Sequence, residues 1–162
     1  MYGRFGEFDS YEEINRAAAA QLKEGDEEAV YGIAEENGID REDAEDFCTG
    51  TIEELTTPEL AAIGKLGIEA KELELKGIMA DWKNMIAEQC MENQELALGV
   101  RRKGKRLEEC MGNILKASFE KKEEVHKKIV GAAGLTPPLY IGIPGKAEVR
   151  KIMESYYLGG KK

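Results

Sequence analysis

Apolar residues recur at helical spacing along most of the chain. The clearest run covers residues 68–98, where Ile68, Leu75, Met79, Trp82 and Ile86 are separated by seven, four, three and four positions. This spacing is that of the apolar stripe of an amphipathic helix. The run contains no proline and one glycine, so it predicts a single helix about 45 Å long at about 1.5 Å per residue. We expect this helix to form the spine of the fold.

A second apolar stripe predicts another long helix over residues 105–130, after a bend at the sequence GVRRKGKR. Pro137-Pro138 excludes helix locally, and the short apolar run 139–143 can be extended. A final helix should follow Pro144-Gly145 and end at the glycines 159 and 160. The second stripe consists of Leu107, Met111, Ile114, Leu115, Val125 and Ile129.

The first 60 residues contain several signals for short helices. Ser10 and Glu13 form a capping box that predicts a helix over residues 11–24. Asp26 is placed to cap a second helix over residues 27–36, and Asp40 to cap a third through residue 47. Thr57 and Pro58 mark the start of a fourth, expected to be interrupted at Gly67.

These elements predict an all-α fold, in which an acidic N-terminal cluster of short helices packs on a long antiparallel helical hairpin closed by a C-terminal helix. We expect one domain over residues 1–162, with an acidic N-terminal subunit at 1–56 and the hairpin with the C-terminal helix at 57–162. The apolar stripes can be buried within one chain or across a homodimer.

Composition narrows the class of protein. No stretch of about 18 apolar residues is present, so no membrane span is expected. The first ten residues lack the pattern of a signal peptide, which predicts a cytoplasmic protein. Cys48, Cys90 and Cys110 are dispersed and odd in number, as is typical of reduced thiols.

Charge is divided unequally along the chain. Residues 1–60 hold 18 acidic and four basic residues, a balance of −14, and the rest hold 14 and 19, a balance of +5, giving the total of −9. Such an acidic surface can compete for the basic groove of a nucleic-acid-binding protein, or it can be a solvated surface without a partner. The candidate partner-binding carboxylates are Glu24, Asp26, Glu27, Glu28, Glu35, Glu36, Asp40, Glu42, Asp43, Glu45 and Asp46.

The opposite charge is concentrated at the predicted bend. It could bind nucleic acid or an acidic protein surface. It could also be a solvated bend that faces the acidic half of the chain. The net charge of −9 and the lack of interleaved aromatic residues make general nucleic-acid binding the weaker interpretation. These basic residues are Arg101, Arg102, Lys103, Lys105 and Arg106.

No motif indicates catalysis, a cofactor or a metal. The segment 142–146, GIPGK, precedes a helix but has neither the first glycine nor the final Ser/Thr of a P-loop. The acidic segment 40–46 lacks the ligand alternation of a calcium loop. His126 is the only histidine, with no flanking nucleophile signature and no zinc-ligand spacing. We therefore expect a protein that is not an enzyme and binds no cofactor.

Three stretches carry a family resemblance: FDSYEEIN at residues 8–15, GIDREDAED at 38–46, and GIPGKAE at 142–148 with the later YYL. With these stretches the chain resembles small proteins of phages and conjugative elements of Firmicutes, among them a type II anti-CRISPR family that inhibits the RNA-guided effector nuclease. The resemblance implies a stoichiometric inhibitor that binds the nuclease and blocks DNA binding or cleavage. The alternative is a mobile-element accessory protein that binds DNA or a partner protein through the bend 101–106.

Overall fold

The computed structural model describes residues 3–159. This part of the chain contains nine α-helices and a single antiparallel sheet of two short strands, so the predicted all-α class is confirmed. In chain order the elements are α1 (Tyr11–Lys23), α2 (Glu27–Glu36), α3 (Arg41–Thr49), α4 (Pro58–Glu72), α5 (Ile78–Glu92), α6 (Gln94–Arg101), α7 (Leu107–Glu120), β1 (Glu123–Glu124), α8 (Lys127–Ala132), β2 (Tyr140–Ile141) and α9 (Lys146–Gly159).

The first four helices begin where the capping signals predict. The Ser10, Asp26 and Thr57 side chains each accept a hydrogen bond from a backbone amide three residues later. Asp40 precedes α3 without such a bond. Helix α2 ends at Glu36, Asn37 is its C-cap, and Gly38 follows with a positive φ of 70°. Local sequence therefore determines the helix starts of the acidic half.

The predicted helix over residues 68–98 is wrong, because that span contains parts of three helices. Helix α4 passes through Gly67 without interruption and ends at Glu72. A turn follows in which Glu74 and Gly77 have positive φ angles of 52° and 60°. The chain breaks again at Asn93, whose side chain accepts from the Leu96 amide and caps α6.

The predicted helix over residues 105–130 is also wrong, so the two long helices of the expected hairpin are absent. Helix α7 ends at Glu120, and the chain continues as β1, which pairs with β2 in the register Glu123↔Ile141. Since β2 lies 17 residues further on, a long-range pairing competes here with the local helical pattern. Residues 119–145, which we call the arm, contain β1, α8, β2 and a cis Pro137-Pro138 peptide.

Two hydrophobic cores meet at α4. Ile14, Ile33 and Phe47 belong to the N-terminal core, which α4 completes with Ala61. The next residue, Ala62, belongs to the C-terminal core, which contains Trp82, Ile86, Leu96, Leu107, Ile114 and Met153. Helix α4 therefore contributes side chains to both cores.

Close backbone contact fixes how the two halves meet. The turn after α2 lies so near α4 that a Cβ on Gly38 would collide with the Gly64 backbone, and one on Gly64 would collide with Asn37. Only glycine allows such an approach on both sides.

Candidate functional surfaces

The acidic carboxylates lie on α2, α3 and the turns that flank them. Seven of the eleven candidates are exposed, and the other four are half-buried. The half-buried ones have structural roles in part: Asp26 caps α2, and the Glu36 carboxylate accepts from the Arg4 and Phe5 amides at 2.9 and 3.1 Å. The exposed ones are Glu24, Glu27, Glu28, Glu35, Asp40, Glu42 and Glu45, which we call the acidic surface.

Few internal cations neutralise the acidic surface. Glu45 lies 3.6 Å from Arg41, a pair that is more than half exposed on both sides. Within residues 3–159 the other six carboxylates accept no hydrogen bond and form no ion pair. Their charge is therefore directed to solvent.

The basic bend, residues 101–106, covers the last residue of α6 and the loop before α7, and it is largely turned inward. Arg101 is the last residue of α6 and only 2% exposed, and its Nη2 donates to Asn37 Oδ1 at 3.1 Å. Lys105 Nζ donates to the Tyr156 carbonyl at 2.8 Å and lies 4.5 Å from the centre of the Tyr156 ring.

Arg106 and the bend backbone are held by the N-terminal segment. The two Glu7 carboxylate oxygens accept from Arg106 Nη1 and Nη2 at 2.8 and 3.1 Å, and Glu7 also accepts from the Gly104 amide at 2.9 Å. Asp9 accepts from the Lys103 amide at 2.8 Å. We call this set of contacts the Glu7 latch.

Burial alone would raise the pKa of Glu7, but the Arg106 and Gly104 hydrogen bonds outweigh it and lower the pKa to about 2. The carboxylate is therefore charged throughout the neutral range. Of the five cationic side chains in the bend, only Arg102 and Lys103 are exposed. The bend thus faces acidic residues of its own chain, one of the arrangements considered from the sequence.

A polar cleft of about 140 Å³ lies where the two cores meet. Lys65 is 5% exposed, and its Nζ donates to the Val100 and Arg102 carbonyls at 2.8 and 2.9 Å. Burial lowers the pKa of Lys65 to about 8, while Glu69 opposes that shift. Burial also raises the pKa of Glu69. Both signs of charge line the cleft, from Lys65, Arg101 and Arg106 and from Glu36, Glu69, Glu72 and Glu108.

The sequence did not predict the contacts of Glu7, Asn37 or Lys65, because their partners are distant in sequence. Asn37 is 64 residues from Arg101, and Glu7 is 99 residues from Arg106. The one available signal was the position of Lys65, which lies on the apolar side of α4 beside Leu66.

Cys90 and Cys110 both lie in the C-terminal core, and His126 lies on the arm. Burial raises the pKa of the Cys90 and Cys110 thiols to about 12, so both are protonated and poorly nucleophilic at neutral pH. Burial and Glu27 also raise the pKa of Cys48. His126 is exposed and caps α8 by accepting from the Lys128 amide at 3.1 Å. Within residues 3–159 no group of three or more His, Cys, Asp or Glu side chains is arranged to hold a metal ion.

Comparison with known proteins gives no match to a family model, to a curated protein or to a solved structure. In the described part of the chain, no helix is both long enough and apolar enough to cross a bilayer.

Proposed function

We propose that this chain is a non-catalytic binding protein whose acidic surface occupies a basic, nucleic-acid-binding groove of another protein. The observation that supports this most directly is the contrast in accessibility of the two charge clusters. The acidic surface is exposed and largely without internal cations, whereas most basic side chains of the bend contact the chain itself.

The charge density of the acidic half is comparable to that of nucleic acid. Duplex DNA carries about one charge per 1.7 Å, or about nine charges over the ~15 Å length of a ten-residue helix such as α2. Residues 24–46 carry eleven carboxylates and one basic residue, Arg41, on two adjacent helices and the turns that flank them. Carboxylates at this density can replace phosphates on a basic surface and accelerate association.

The resemblance to the type II anti-CRISPR family names the partner to test first. An RNA-guided effector nuclease holds its heteroduplex in a positive channel and reads the adjacent motif with arginines. If the acidic surface occupied the positive channel or the arginines, it would block the binding or cleavage of target DNA.

The first experiment is a DNA cleavage assay with type II effector nucleases, guide RNA and target, titrated with this protein. We expect cleavage to stop near equimolar protein when the protein is added before the target. Full cleavage by several orthologous nucleases at large excess would overturn the choice of partner.

Two matched charge-reversal variants then test the surface. The first carries Glu27→Lys, Glu35→Lys, Asp40→Lys and Glu42→Lys, and should lose inhibition. The control reverses four exposed carboxylates elsewhere and changes the net charge equally, so it should retain inhibition: Glu88→Lys, Glu92→Lys, Glu95→Lys and Glu120→Lys. Equal inhibition by both variants would exclude the acidic surface as the binding site.

The accessory DNA-binding function through the bend 101–106 makes the opposite prediction for naked DNA. A salt-dependent gel shift with duplex DNA separates the two functions, because phosphate contacts weaken steeply as salt rises. We expect no shift, since Arg101, Lys105 and Arg106 are engaged within the chain. A shift that Arg102→Ala and Lys103→Ala together abolish would favour DNA binding instead.

A further inference from the structure

The arm carries the most exposed apolar side chains among the described residues. Thirteen large hydrophobic residues are exposed within residues 3–159, and only Met91 exceeds half exposure outside the arm. Inside the arm six exceed it, with exposed fractions of 52–72%: Phe119, Ile129, Leu135, Tyr140, Ile141 and Ile143. Apolar side chains concentrated in this way are typical of a protein interface.

We propose that the arm is the interface through which two copies of this chain form a symmetric dimer. This proposal does not depend on the acidic surface, which lies in the other half of the chain.

Charge limits what can cover the arm. Residues 129–145 contain no charged residue, although 34% of the whole chain is charged. An ion-pairing partner would find no countercharges along this segment. The acidic half of another copy is a poorer fit, because Leu60, at 42% exposure, is the one exposed large hydrophobic residue among residues 3–60. The same uncharged segment of a second copy fits without placing a charge opposite an apolar surface.

The backbone of β2 offers a self-complementary contact. The Val125 amide donates to the Leu139 carbonyl at 2.8 Å, and the Glu124–Tyr140 pair comes next in the ladder. In an antiparallel ladder, hydrogen-bonded and non-hydrogen-bonded pairs alternate, so the amide and carbonyl of Tyr140 point away from β1. In the described part of the chain β2 pairs with no strand except β1. Two copies of β2 can therefore pair antiparallel about a twofold axis.

The other edge of the sheet is protected against such pairing. Strand β1 consists of Glu123 and Glu124 and directly follows Lys121 and Lys122. Charges of this kind are a feature that natural edge strands use to prevent association. The asymmetry between the two edges directs a second copy to β2.

The exposed apolar area of the arm is of the order that a dimer needs. Six side chains of about 150–200 Å² each, at the observed exposures, total on the order of 600 Å² per copy, against the ~800 Å² per partner of a standard interface. Tyr140 and Ile141 are neighbours on β2 and point to opposite faces of the sheet, so a strand-paired dimer divides this area between the two faces. The arm is also anchored for docking. Lys121 Nζ lies 2.7 Å from Glu148 Oε2 of α9, and the Gly142 backbone packs on the Ser118 carbonyl.

Sedimentation equilibrium of the full chain over a wide concentration range tests this interface. We expect the wild type to reach the dimer mass, and Tyr140→Lys or Ile143→Lys to remain monomeric. Met91→Lys introduces the same charge at an exposed apolar residue outside the arm and should still dimerise. A monomeric wild type at every concentration, or dimerisation equal in arm and control variants, would overturn the proposal.

Disulfide trapping locates the contact without disrupting the arm. In a Cys48→Ser background, Tyr140→Cys should form a covalent dimer with oxidised glutathione, because the twofold axis brings the two β2 strands together. Met91→Cys in the same background should remain monomeric on a non-reducing gel. Equal cross-linking of the two variants would show that the contact is not at β2. Circular dichroism of each variant confirms that the helices are retained.

Discussion

The acidic surface and the basic bend are equally prominent in the sequence but differ in the folded chain. The acidic surface is exposed and, apart from the Glu45–Arg41 pair, lacks internal partners, whereas Arg101 is buried and Arg106 is bound by Glu7. The difference arises from backbone position. Exposed sides of short helices present their charges to solvent, while a bend between two packed helices places its charges near other backbone groups. A charge cluster in a sequence becomes a binding surface only where the fold leaves it without internal partners.

The largest effect on stability is expected at the close contact between the turn after α2 and helix α4, which joins the two halves of the chain. Gly64→Ala would place a Cβ against the Asn37 carbonyl and should lower the free energy of unfolding by about 3 kcal/mol. Gly67→Ala on the same helix is the control. A Cβ at Gly67 would meet open space, so this variant should be more stable than the wild type by about 0.5–1 kcal/mol. Urea denaturation of both variants measures the difference. A stable Gly64→Ala variant would contradict the close approach of α2 and α4.

Breaking the Glu7 latch should have the next largest effect. Glu7→Gln removes the charge that binds Arg106 and should cost about 1–3 kcal/mol of unfolding free energy. Glu12→Gln, at an exposed position on α1, should change stability by less than about 0.5 kcal/mol. Equal effects in chemical denaturation would mean that the latch does not hold the bend.

The same latch predicts a specific pH dependence. The folded pKa of Glu7 is lowered to about 2 from an ordinary value of 4.5, so the unfolded chain binds more protons between these values. The stability contributed by Glu7 is therefore complete above about pH 5 and is lost as pH falls towards 2. The melting temperature of the wild type should fall more steeply with decreasing pH in this window than the melting temperature of Glu7→Gln. Parallel curves would contradict the lowered pKa.

The smallest effect on stability is expected at the acidic surface. Glu24→Lys and Glu35→Lys alter exposed carboxylates that have no internal partner and lie at the C-terminal ends of α1 and α2, and each should change the unfolding free energy by less than about 0.5 kcal/mol. Thermal denaturation checks this. A large loss of stability would mean that these carboxylates support the fold and are not free for binding.

Local signals predicted the elements whose determinants are close in sequence. The caps at Ser10, Asp26 and Thr57 are all present. The apolar stripe also identified core residues, since Trp82 and Ile86 are buried although the expected helix is divided.

Other features were not predictable because tertiary contacts override local preference. Glu74 adopts a positive φ that no local signal favours, and β1 forms only by pairing with β2. Asn93 is a typical helix-capping residue, but the continuous apolar stripe on both sides of it predicted a single helix. The burial of Arg101 depends on Asn37, 64 residues away, so no charge pattern near residue 101 could reveal it.

The shared position of α4 has a consequence for cooperativity. Because Ala61 and Ala62 lie in different cores, loss of this helix opens both cores at once. Separating the first three helices from α4, by cleavage before Pro58, would expose the side of the N-terminal core that α4 covers. We therefore expect a single calorimetric transition, with neither half of the chain melting ahead of the other.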